Sequence, residues 1–126
     1  MRRFGHDDAG AAALEYAFVL PVMLAFAIGV MDLGRLVWMQ VTLDRAVQAA
    51  ARCASVNPTR CGGDPAIKSY AATSAWGMTV PASTFVVSRP ACGVTVSATM
   101  SFKYFAPWPN APSTLTSAAC YPVSSP

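Results

Sequence analysis

Few side chains in this sequence could do chemistry, and where they stand narrows what that chemistry is. The single histidine, His6, lies within the first ten residues, so the rest of the chain cannot supply a Ser-His-Asp triad. Four cysteines, Cys53, Cys61, Cys92 and Cys120, all follow a long apolar stretch. An even cysteine count in a small exported domain points to disulfides. Three pairings are open. The favoured one joins Cys53 to Cys61 around Asn57-Pro58, and Cys92 to Cys120, tying the final segment to the strands before it. Zinc is the competing use, but no CxxC knuckle is present and no histidine lies near the cysteines. No catalytic group, metal or cofactor is called for.

The remaining reactive groups are acids placed around apolar surface. Ala11 to Met31 reads AAALEYAFVLPVMLAFAIGVM, about 21 residues, which at helical rise covers roughly 30 Å, the thickness of a bilayer core. A secretory signal peptide carries its small-residue cleavage site after the apolar run, whereas here Gly10-Ala11-Ala12-Ala13 comes before it. Cutting there leaves the apolar helix on the mature chain. Glu15 sits near the start of this span, where a charge at the bilayer centre would cost on the order of 3 kcal/mol. Headgroup depth and a helix N-terminus are one form of compensation.

Gly10, four residues, then Glu15-Tyr16, behind the short basic leader MRRFGHDDAG, resembles the Flp and Tad prepilin processing site. The series continues with Leu20-Pro21, a long apolar run, Asp32-Leu33-Gly34-Arg35 and an Ala-rich helix ending in Ala-Arg. Over about 45 residues from Gly10 this closely resembles the TadE-like family of minor pilins and pseudopilins. The resemblance implies cleavage between Gly10 and Ala11 by a membrane aspartyl prepilin peptidase. It also implies that Glu15 of one subunit pairs with the new α-amine on Ala11 of a neighbour as helices pack. Implied partners are the peptidase, other pilin or pseudopilin subunits, the Tad assembly platform and the lipid bilayer. The implied location is the bacterial cytoplasmic membrane, single pass, N-terminus cytoplasmic and head outside, with incorporation into a pilus.

Three features of the span have structural readings of their own. Pro21 removes a backbone donor and loosens the turn toward Ala17; membrane helices tolerate this, and a part in helix packing during assembly is the alternative. Asp32 and Arg35, three apart, share a helix face and partly neutralise one another at the outer boundary. Trp38 follows at interfacial depth. Arg35, Arg45 and Arg52 lie beyond the span just as Arg2 and Arg3 precede it, so the processing site, not the positive-inside rule, sets the orientation. Nine basic residues against six acidic ones, spread from Arg2 to Lys103, form no patch for nucleic acid.

The elements that carry these residues follow from periodicity. Leu36, Met39, Leu43, Val47, Ala50 and Ala54 recur at helical spacing, with Gln40, Asp44, Gln48 and Arg52 off that stripe. The membrane helix therefore continues to Val56 and stops at Asn57-Pro58. Asp64 as N-cap and Pro65 start a second helix through Trp76, ended by Gly77. Strands are expected at 85–87, 94–105 and 115–121, with a loop at 106–112 where Pro107, Pro109 and Pro112 forbid regular structure. Trp108 in that loop is expected to cover the sheet edge, an exposed contact for a partner or a surface being the alternative. The fold class is α+β, a long helix packed by a short one and a three-stranded antiparallel sheet. The divisions are a leader at 1–10, a transmembrane helix at 11–34, its continuation at 35–56 and a disulfide-bonded head at 57–126.

A minor pilin or pseudopilin serving a Tad/Flp-type pilus in adherence and pilus biogenesis is the function this resemblance implies, and it is not an enzyme. A single-pass envelope-binding protein, or an accessory subunit unrelated to pili, is the alternative. The N-terminal residue of the extracted protein separates them.

Overall fold

The structure, a computed structural model, describes residues 8–123. Most of the expected leader, residues 1–7, lies outside the described residues. One helix, α1, runs unbroken from Asp8–Val56 and includes Pro21. A second, α2, spans Asp64–Ser74, and a short 3-10 turn at Ala82–Thr84 leads into the strands β1 (Phe85–Ser88), β2 (Val94–Ser101) and β3 (Thr114–Tyr121). The strands form an antiparallel meander in the order β1-β2-β3. Phe85 pairs with Ala98 and Val94 with Tyr121. This is the expected α+β architecture.

The two halves of α1 have different surroundings. From Leu14 to Val30 its large apolar side chains stand exposed, whereas Leu43, Ala46, Val47, Ala50 and Ala51 are fully buried. Small residues at 46, 50 and 51 let the sheet and α2 approach closely, and Phe85, Ile67, Val96 and Leu115 fill the space between. Burial at about 25 cal/mol per Å² makes this single seam the head's main source of stability. The head's core therefore packs on the C-terminal half of α1.

Three boundaries differ from the expectations. Asp64 is the first residue of α2, not its cap; Gly63 takes that position, and the Asp64 carboxylate instead accepts from Arg89 at 2.6 Å. The helix ends at Ser74, two residues early, because the Ala75 N–H folds back to the Ala72 carbonyl and leaves Trp76 exposed. Strand β2 ends at Ser101, not Phe105. Phe102 still donates to the Ser113 carbonyl at 2.7 Å, but the N–H groups of Phe105 and Ala106 turn to Asp32 on α1. Disulfides join Cys53 to Cys61 and Cys92 to Cys120. The first closes the turn after α1, where the Asn57 side chain accepts from the Arg60 N–H at 3.0 Å.

Candidate functional site

At the start of α1, Gly10 and Ala11 are helical, and Glu15 and Tyr16 are exposed on the same helix. Pro21 is exposed and does not interrupt α1. The large apolar side chains around them, Leu14, Tyr16, Phe18, Val19 and Leu20, are each more than half exposed.

The built site lies where the apolar half of α1 meets the head. Asp32 is 1% exposed, yet it stands on a helix whose neighbours Met31 and Leu33 are open. Its burial comes from the segment after β2. The Phe105 N–H donates to Asp32 Oδ1 at 3.0 Å and Oδ2 at 3.1 Å. The Ala106 N–H reaches Oδ2 at 3.3 Å, and the Trp108 indole Nε1–H reaches it at 3.2 Å. Three N–H groups from one loop thus converge on one carboxylate, the arrangement that makes a buried charge tolerable.

Arg35 closes the other side. Its Nη1 lies 3.4 Å from Asp32 Oδ1 and 3.5 Å from the Lys103 carbonyl. Its guanidinium stands 4.2 Å from the centre of the Phe105 ring and 5.2 Å from that of Phe102, within cation–π range. The expected Asp32–Arg35 pair exists, but it is the weakest part of the Asp32 environment; the loop N–H groups are nearer. Trp108 does not cover the sheet edge as expected. Its ring lies against α1 at Gly29, where an added Cβ would stand 3.4 Å from the indole.

Trp38 projects from the opposite side of α1 and is 60% exposed. It packs on Gly77, whose positive φ of 76° turns the chain after α2. Two residues further along α1, Gln40 donates to the Thr116 carbonyl at 3.1 Å and to Asp44 at 3.0 Å, fastening β3 to the helix. The sequence pointed to Asp32, Arg35 and Trp38 but not to Gly29, Phe105, Ala106 or Trp108 as their partners. A usable signal was present: an acid at the end of an apolar stretch needs donors, and a Pro-rich loop outside the sheet has N–H groups to offer.

The helix side of this site falls in the part of the chain that resembles a known family. Residues 10–52 match the family model described as TadE-like protein. The chain carries a TadE-like domain. That domain holds Gly10, Glu15, Pro21, the Asp32 to Arg35 tetrad and Trp38, and ends one residue before Cys53. It suggests a protein associated with a Tad pilus. No curated protein and no solved structure matches the chain. The loop that binds Asp32 lies outside the matched residues, so the site joins the TadE-like segment to the head.

Proposed function

We propose that this chain is a minor pilin or pseudopilin that is assembled into, or supports, a Tad/Flp-type pilus in the cytoplasmic membrane. The observation that carries the reading is the division of α1. Its N-terminal half is apolar, exposed and long enough to cross a bilayer, while its C-terminal half is the spine of a disulfide-bonded head, and the TadE-like match covers both. A helix that is apolar all round must be buried by lipid or by other helices, and assembly from membrane to filament uses both. In this reading a prepilin peptidase cuts between Gly10 and Ala11, residues 11–34 span the membrane with the N-terminus cytoplasmic, and the head stands outside. The protein acts by being assembled and has no catalytic role. Glu15, exposed on the free part of α1, meets the α-amine of Ala11 on a neighbouring subunit, and Pro21 eases helix packing.

The test is the N-terminal residue of the membrane-extracted protein from cells with an active prepilin peptidase. Ala11 is expected. Intact Met1 would overturn the processing step and with it the pilin assignment.

A further inference from the structure

We propose that the segment Phe105 to Pro109 seats in the outer leaflet, so that the head is a lipid-contacting body and not only a domain held above the bilayer on a stalk. This rests on the membrane reading of α1 given above.

Depth along the helix is the first ground. A span of about 20 residues ends at Val30 if counted from Ala11, and at Gly34 if counted from Glu15. On either count Gly29 lies within the hydrocarbon length, and Trp108 packs on Gly29. The head therefore cannot dock as it does without bringing that loop to the level of the acyl chains.

The backbone of the loop is the second and independent ground. Irregular chain is tolerated at membrane depth only where its polar groups are satisfied. Phe105 and Ala106 donate to Asp32, and the Trp108 N–H donates to the Ala106 carbonyl at 2.9 Å. Pro107 and Pro109 have no N–H to satisfy. No backbone donor between 105 and 109 is left over. The indole N–H of Trp108 is also used, on Asp32. Asp32 and the loop donors thus satisfy one another, which lowers the cost of bringing both near hydrocarbon.

The side chains agree with that depth. Phe105 is 66% exposed and Trp108 44% exposed, and from Tyr104 to the last residue the sequence contains no Asp, Glu, Lys or Arg. Trp38, about 13 Å further along α1 than Gly29, and the exposed Trp76 stand beside Arg45, at the height of the headgroups where tryptophan is enriched. The occupant of this surface is therefore lipid, continuous with the lipid around the span itself.

Tryptophan quenching by brominated phosphatidylcholine in nanodiscs tests this on the full chain. The protein has three tryptophans, and Trp38→Phe with Trp76→Phe leaves Trp108 as the reporter; both replaced side chains are exposed, so the core is untouched. A second protein, with all three replaced and Phe26→Trp added, reports on the span. Loss of Trp108 emission, stronger with bromines near the glycerol end than near the chain terminus, is expected, together with deep quenching of the Phe26→Trp reporter. If the span reporter is quenched and Trp108 is not, the seated loop is wrong while the membrane reading stands; cross-linking at Phe105 to a second copy would then identify protein as the occupant. If neither is quenched, the membrane reading fails and the proposal falls with it.

Discussion

Replacing Asp32 by Asn isolates what the carboxylate does for the loop. The side chain keeps its shape but loses its charge and one of its two acceptor oxygens. The lost oxygen leaves either the Phe105 contact at Oδ1 or the group made at Oδ2 by Phe105, Ala106 and Trp108 facing an NH2 group. Hydrogen bonds to a charged partner contribute about 1.5–3 kcal/mol, and an abandoned buried donor costs about 1–3 kcal/mol. Because the three donors share one acceptor, these contributions do not add, and a net loss of about 1.5–3 kcal/mol from loop closure is expected. At 1.4 kcal/mol per factor of ten this is roughly a 10- to 100-fold faster local opening. Amide hydrogen exchange in micelles reads it directly. The Phe105 and Ala106 N–H groups should lose protection by that factor in Asp32→Asn, while core amides such as those of Val96 and Leu43 stay unchanged. Equal loss across the whole head would mean that Asp32 supports global stability instead. Unchanged exchange at Phe105 would refute the carboxylate as the loop's anchor.

Other expectations follow from the same contacts. Gly29→Ala should be tolerated, since its Cβ meets the indole at 3.4 Å, whereas Gly29→Leu should displace Trp108 and expose Asp32, seen as increased exchange at Phe105 with helix content intact. Glu15→Gln should be cleaved after Gly10 yet fail to enter assembled pili; normal incorporation would remove the proposed pairing with Ala11. Opening the Cys92–Cys120 bridge, which spans 28 residues, should cost more than opening Cys53–Cys61, which spans 8: the loop-entropy relation gives about 3.6 and 2.5 kcal/mol respectively. Melting of the Cys→Ser pairs would check that order. Phe85→Ala, at a fully buried position, should cost about 3–5 kcal/mol, and a smaller loss would show that the sheet can collapse onto α1.

Much of the fold was legible because it rests on periodicity. The stripe from Leu36 to Ala54 defined the buried face of α1, and Leu43, Val47 and Ala50 are its fully buried members. Alternation in Val94 to Ser101 marked β2, and the prolines marked the loop after it. What was misread lay at the ends of elements. Phe102 to Phe105 continue the alternation of a strand, but the Phe105 N–H is drawn to Asp32 on another element, and alternation carries no record of a competing acceptor. The end of α2 and the cap at Gly63 likewise depended on local backbone bonds that side-chain pattern does not encode.

For the candidate site the division is sharper. By itself the sequence determined that Gly10, Glu15 and the Asp32 to Arg35 tetrad lie in order along one apolar helix, because helical rise and hydrophobic run length are local properties. It also determined that the final 23 residues, from Tyr104 onward, carry no charged side chain. Only the tertiary structure decided that these two facts meet. Asp32 and the Phe105 N–H are 73 positions apart, and their contact exists because the sheet, stacked on the spine of α1, aims the end of β2 back along the helix. A carboxylate's choice of donor is set by which N–H groups the fold leaves without partners beside it, and that is a property of the packed molecule.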